Sequence, residues 1–285
     1  MKKSLALLLA LAMMVGALAG CGTPGSSVED KASASAPEAS VAEPTTAPAD
    51  SAAEAPAAAS DKVWVIATDT VFKPFEYTDE SGNFVGIDVD IVAAIAEDQG
   101  FQYEMNSLGW DSAIAACQAG QADGMIAGAS ITDERKESGW IFSDGYYTAT
   151  QCMAVAENSD IKGFEDLEGK MVAVKTGTQG ASYAESLQKE HGFELSYFED
   201  SPLMYQAVAG GQAVACFEDT PIMAASIKDG GLGLKIVEGS ENEGAPYGFA
   251  IFNENSQELL DMFNAGLANI KANGKYDEII AKYLG

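Results

Sequence analysis

From residue 61 onward, short runs rich in Val, Ile and Ala alternate with amphipathic stretches of ten or more residues. Short apolar runs bounded by turn residues read as strands, and stretches with apolar positions three and four apart read as helices. Their alternation predicts an α/β domain. Strands are expected over Val63–Ala67, Phe101–Met105, Gly124–Ala127, Gln151–Ala156, Met171–Lys175, Glu194–Phe198, Ala213–Phe217, Leu234–Val237 and Tyr247–Phe252, with helices between them. Val89, Val92, Ile95 and Ala96 mark the inner face of the first helix, which Gly100 ends, and Asp111 is placed to cap a second that ends at Gly120. Ser201–Pro202 and Thr220–Pro221 put a hydroxyl at the N-cap and a proline at the first helical position. Near the end, Leu259, Leu260, Phe263, Leu267 and Ile270 draw an apolar stripe at helical spacing, and Asn255 with Glu258 has capping-box spacing.

The first sixty residues follow a different pattern. Lys2 and Lys3 precede an apolar stretch, Leu5–Ala19, that ends in small residues. It is shorter than the roughly 20 residues of a membrane span, so residues 1–20 read as an export signal. Leu18–Cys21 resembles the lipobox of bacterial lipoproteins, which implies that the signal is removed and that Cys21 receives lipid. Up to Ser60 the composition turns to Ala, Ser, Pro, Glu and Thr without any aromatic residue. Such a segment cannot bury enough surface to offset the entropy of ordering, so residues 21–60 are expected to be a disordered tether extended by its prolines. No later apolar run is long enough to cross a bilayer.

Length and charge narrow the functional classes. With 285 residues the chain has material for one or two domains with proper cores. Its 43 acidic residues against 16 basic ones give a net charge of −27, which excludes a nucleic-acid partner, because such binding needs Lys and Arg on phosphates. A single histidine, His191, and the absence of any CxxC or HxxxH spacing exclude a zinc site. His191, followed by Gly192, suits a helix C-terminus. Cys117, Cys152 and Cys216 allow at most one disulfide and leave at least one thiol; their connectivity is not readable.

Candidate chemistry sits at strand ends, where open α/β sheets bind ligands. Val63–Ala67 runs into Thr68, Asp69 and Thr70; Gly124–Ala127 into Gly128 and Ser130; Met171–Val174 into Lys175, Thr178 and Gln179; and Ala213–Phe217 into Glu218 and Asp219. Both signs of charge, hydroxyls and a helix N-terminus suit a small zwitterion better than a nucleotide. The glycines after Lys175 lack the phosphate-loop spacing.

Six segments in order carry a resemblance: Ala67–Phe75, Val85–Asp90, Ala127–Arg135, Phe142–Tyr147, Val172–Thr178 and Glu218–Pro221. Together they resemble family 3 of the bacterial ABC-transporter solute-binding proteins, the polar amino-acid binders, nearest its glutamine-binding branch. The resemblance implies a type II periplasmic-binding-protein fold, two α/β lobes joined by a two-strand hinge that close over a cleft. Lobe 1 is expected at 61–147 and 246–285, lobe 2 at 148–245. Arg135 is implied to hold the ligand's α-carboxylate with backbone amides of Ser130 and Gln179 beside Thr178. The α-ammonium would meet Asp219, the Ser130 hydroxyl and the Gly128 carbonyl. Phe72 and Trp110 would wall the aliphatic carbons, while Asp69 accepts from and Lys175 donates to a side-chain amide, a pair complementary to glutamine. The implied molecule is a monomeric receptor without cofactor, metal or catalysis, lipid-anchored on the extracytoplasmic face and serving a membrane permease.

Glu218 departs from the glutamine pattern, which has a histidine there. An extra acid can oppose glutamate, favour a cationic ligand such as arginine or histidine, or point at Lys175. It is also the one acid open to general acid–base work, as in the cyclohexadienyl or arogenate dehydratases that share this fold.

Overall fold

The computed structural model describes residues 62–285; the expected signal, the tether and Cys21 lie outside the described residues. In chain order the elements are β1 (Val63–Thr68), a hairpin of β2 (Tyr77–Thr78) and β3 (Phe84–Val85), α1 (Ile87–Gln99), β4 (Gln102–Ser107), α2 (Trp110–Gln118), β5 (Gly124–Met125), α3 (Asp133–Glu137), β6 (Ile141–Phe142) and β7 (Tyr147–Ala149). There follow β8 (Gln151–Ala156), β9 (Met171–Lys175), α4 (Gln179–His191), β10 (Glu194–Phe198), α5 (Ser201–Ala209), β11 (Ala215–Asp219) and α6 (Thr220–Gly230). The chain ends with β12 (Leu234–Ile236), β13 (Ala245–Tyr247), β14 (Ala250–Ile251), α7 (Gln257–Ala272) and α8 (Lys275–Leu284).

Two five-stranded mixed sheets result, ordered β4-β1-β5-β14-β6 and β10-β9-β11-β8-β12. In each, one strand has parallel neighbours on both sides: β1 lies between β4 and β5, and β9 between β10 and β11. Such a strand is a topological switch point, with a crevice at its carboxyl end. Between the two sheets in sequence, β7 and β13 form a separate antiparallel pair with Tyr147 opposite Tyr247 and Ala149 opposite Ala245.

Period-two alternation divides each strand between two helix layers. In β8, Cys152 and Ala154 face Met204, Val208 and Met223 on one side; Met153 and Val155 face Ala184, Phe193 and Phe217 on the other. In the first sheet, Trp64 and Ile66 pack on α1 and on the α7 stripe Leu259, Leu260, Phe263, Leu267 and Ile270. At about 1.5–3 kcal/mol for each buried large apolar side chain, that stripe holds α7 in place.

The structure corrects several local expectations. The inner face of α1 runs through Ile87, Ile91, Val92 and Ile95, while Val89 is only half-buried. Gly109, not Asp111, occupies the N-cap of α2. Asp200 caps α5 by accepting from the Leu203 N–H, which leaves Ser201 and Pro202 inside the first turn. Asp219 stands at the N-cap of α6, and the Thr220 hydroxyl pairs with Thr150 at 2.8 Å. No Asn255–Glu258 box forms, because Asn253 accepts from the Asn255 N–H and Ser256 takes the N-cap of α7. The expected strand Tyr247–Phe252 is broken at Gly248 and Phe249, where the chain leaves β7 and joins the first sheet.

Candidate functional site

The switch points gather the polar strand ends. Asp69 follows β1, Gly128 and Ser130 follow β5, Lys175 ends β9, and Glu218 and Asp219 end β11. Phe72 lies in the loop after β1, Trp110 opens α2, Arg135 lies in α3, and Thr178 and Gln179 begin α4. These eleven residues, together with Ala127, line one cavity. Its room for the centres of water-sized spheres is about 20 Å³, little more than one water's worth.

Lys175 and Asp69 meet in its lining. Lys175 Nζ donates to Asp69 Oδ2 at 2.5 Å, and the two side chains are 3% and 5% exposed. The other Asp69 oxygen accepts from the Thr70 N–H at 2.7 Å. The acceptor and donor expected to stand free for a ligand amide are therefore partners of each other in this arrangement, since the two sheets bring them into direct contact. Burial pulls the Lys175 ammonium toward neutrality, but Asp69, Glu218 and Glu76 outweigh it and hold its pKa above the usual lysine value. Lys175 therefore stays a cation at neutral pH.

Arg135 is placed by the Thr132 cap of α3, whose hydroxyl accepts from the Arg135 N–H at 3.2 Å. Its guanidinium carbon lies 5.0 Å from the Trp110 ring centre and 5.1 Å from that of Trp140, a cation–π contact on each. Nη1 donates to the Ser130 carbonyl at 2.9 Å and Nη2 to the Gly177 carbonyl at 3.2 Å. Burial lowers its pKa to about 10 against the opposing pull of Asp219, so it remains a cation. Beside it α4 begins, with the Thr178 hydroxyl accepting from the Ala181 N–H at 3.3 Å and donating to the Lys175 carbonyl at 2.8 Å. A guanidinium next to a helix N-terminus makes this the anion-holding end of the cavity.

The acids Asp219 and Glu218 line the same cavity, and the charge of Asp219 reaches Arg135. Asp219 accepts from the Gln151 amide at 2.6 Å and from the Tyr247 hydroxyl. Burial and then the charge of Glu218 raise its pKa, so a cation brought against it would be strongly favoured. Glu218 accepts from the Ser201 hydroxyl at 2.6 Å, the Tyr205 hydroxyl at 2.8 Å and the Asp219 N–H at 3.0 Å. The sequence reading gave no place at the site to Gln151, Tyr247, Tyr205 or Trp140, and expected Ser201 only as a helix cap. The only sequence signal for them is an apolar setting with a polar tip, which buried residues of many kinds share.

Behind the cavity lies a second acid pair that the sequence did not announce. Asp88 Oδ2 accepts from the Gly128 N–H at 3.0 Å and from the Tyr146 hydroxyl at 2.8 Å. Glu76, fully buried against it, meets no N–H or O–H donor among the described residues. Burial first, then Asp88 and Asp69, push the Glu76 pKa well above the usual carboxyl range, and burial raises Asp88 to about 7. Glu76 therefore holds a proton at neutral pH, and Asp88 gives its own up only near there.

Cys117, Cys152 and Cys216 are free, buried thiols, which answers the open question of pairing. Among the described residues no His, Cys, Asp and Glu group is arranged to hold a metal ion, and no helix is long and apolar enough to cross a membrane.

Residues 64–285 match the family model of the bacterial extracellular solute-binding proteins, family 3. The chain belongs to that family. A "Probable histidine-binding protein" of Neisseria gonorrhoeae is 33% identical over 234 residues, 81% of this chain and 86% of the relative. Among solved structures, the open second substrate-binding domain of Lactococcus lactis GlnP is 38% identical with a TM-score of 0.54, covering 79% of this chain and 97% of that one. An ancestral arginine-binding protein solved with arginine is 35% identical with a TM-score of 0.72, covering 78% and 98%; an ancestral arginine-binding protein solved with glutamine is 34% identical at the same TM-score. The family member described here thus has the two-lobe type II periplasmic-binding-protein fold.

Proposed function

We propose that this protein captures a polar L-amino acid outside the cytoplasm, glutamine in the first place, and hands it to an ABC-transporter permease. One observation carries the choice of ligand: the buried Lys175–Asp69 pair at 2.5 Å, with one partner from each sheet. A side-chain carboxamide is the polar group that meets both at once, accepting from Lys175 and donating to Asp69. A carboxylate would face Asp69 and Glu218, and a guanidinium would face Lys175. Arg135 with the start of α4 suits the α-carboxylate, and Asp219 with Ser130 suits the α-ammonium.

With room for one water, the cavity admits an amino acid only if the lobes part. The open GlnP domain supports a hinge motion, since it matches this chain less well overall than the less identical arginine-bound protein does. Bending at β7 and β13 agrees with lobes at 61–147 plus 246–285 and at 148–245, and Cys21 would tether the monomer to the membrane by lipid.

A second reading, a cationic amino acid, draws on the acids around the cavity and on the histidine and arginine in the relatives' names. The enzyme reading is weakened because Glu218, its only candidate acid, already accepts from three donors. Thermal unfolding against each of the twenty L-amino acids tests all three, because a ligand that binds only the native state stabilises by RT ln(1+[L]/Kd). A dominant shift with glutamine supports the first reading. A dominant shift with arginine, histidine or glutamate replaces glutamine; no shift with any, followed by turnover of arogenate or prephenate, replaces the receptor by an enzyme.

A further inference from the structure

The Glu218 carboxylate lines the ligand cavity, yet the groups that hold it come from behind. Because Asp200 takes the N-cap of α5, the Ser201 hydroxyl is released from capping. Ser201 and Tyr205 are four residues apart, so they share a helix face, and both hydroxyls converge on Glu218 Oε2 at 2.6 and 2.8 Å. Oε1 accepts from the Asp219 N–H at 3.0 Å. Glu218, Ser201 and Tyr205 are 3%, 2% and 4% exposed, so water does not compete for these bonds.

We propose that Ser201 and Tyr205 are specificity-positioning residues: by holding Glu218 toward its own lobe they make the cavity favour a neutral ligand side chain over a cationic one. The proposal rests on the glutamine reading above. A buried carboxylate needs donors. With three supplied by its own lobe, Glu218 gains little from a ligand cation, and that cation would still lose its water and approach Lys175. Without the two hydroxyls, the strongest donor available to Glu218 is a guanidinium or ammonium brought in by the ligand.

The test is calorimetric titration of glutamine and of arginine into three proteins: the wild type, the Ser201→Ala/Tyr205→Phe double variant, and the double variant with Glu218→Gln added. The ratio of the two dissociation constants is expected to move toward arginine by about tenfold in the double variant and to return toward the wild-type ratio once Glu218 is neutral. An equal loss for both ligands, or a ratio change that persists without the Glu218 charge, overturns the proposal. Should the double variant fail to fold, Tyr205→Phe alone keeps the ring and is expected to give a smaller change in the same direction; an unchanged ratio counts against the proposal. Ser201→Thr, which retains a hydroxyl, should leave the ratio near that of the wild type. A wild type that prefers arginine overturns the glutamine reading, while the Glu218-dependent change in ratio still decides the role of the two hydroxyls.

Discussion

Lys175 and Asp69 belong to different sheets and meet at 2.5 Å in a place that water barely reaches. Removing one member leaves the other charge buried and alone, which is far more damaging than removing both. Lys175→Ala is therefore expected to weaken ligand binding by about 1.5–3 kcal/mol, the worth of a hydrogen bond to a charged group. Lys175→Met combined with Asp69→Asn should harm stability less than either change alone. A double-mutant cycle of Kd and of unfolding free energy measures this; additive effects would show that the pair is uncoupled.

Arg135→Lys should not behave as a conservative change. Lysine keeps the charge but loses the planar fork that reaches the Ser130 and Gly177 carbonyls and the flat face that lies over Trp110 and Trp140. Affinity is expected to fall by at least about tenfold, equivalent to one charged hydrogen bond. Titration of the best ligand found by the unfolding screen checks it, and an unchanged Kd would remove Arg135 from the binding groups.

Gly177 has φ +69, and a Cβ there would stand 3.3 Å from Trp110 Nε1 on the other side of the cavity. In Gly177→Ala the left-handed backbone alone disfavours the native loop by about 1–2 kcal/mol. The new methyl also crowds the indole on which the close approach depends. Ligand affinity should fall by about tenfold or more, and small-angle scattering with saturating ligand should show a larger radius than the wild type. A wild-type radius and Kd would mean that the loop tolerates the methyl group.

Glu76 and Asp88 predict a dependence of stability on pH. Asp88 rises from an ordinary 3.8 to about 7 in the folded state, and burial pushes Glu76 well above its ordinary value too. The native state thus holds a proton that the unfolded chain releases above about pH 4, so stability falls as pH rises through the interval from about 4 to about 7. The limiting slope is about 1.4 kcal/mol per pH unit for one such proton. Glu76→Gln and Asp88→Asn each keep an acceptor oxygen and should flatten this part of the Tm profile. Profiles parallel to the wild type would assign the slope to other acids, the buried Asp219 first among them.

Strands β8 and β9 were legible to the residue, since each is a run of five or six residues buried on both faces, and the half-exposed edge strand β10 was equally legible from its short run. The two-residue strands β2, β3 and β6 carry no such run; β2 and β3 are defined by pairing with each other in a hairpin, and β6 by pairing with the distant β14. Helix starts misled for a related reason. Ser201 and Thr220 satisfy the local rule for a cap, but tertiary partners, Glu218 and Thr150, take their hydroxyls. The members of the cavity could be named because their motifs resemble a family. Asp88 could not, because an acid in the first turn of a helix ordinarily reads as a solvated partner of the dipole, and Glu76, just before a short hairpin strand, reads as an ordinary surface acid.

The three free cysteines have a consequence for life outside the cytoplasm. Each is enclosed by core side chains; burial lifts the Cys117 and Cys152 thiols to about 12 and pushes Cys216 well above the ordinary thiol value. Almost no thiolate is present to attack a disulfide or an oxidant. The folded domain needs no oxidising enzyme to complete it and loses nothing to a reductant, so it can serve equally in an envelope rich in disulfide chemistry or in one without any.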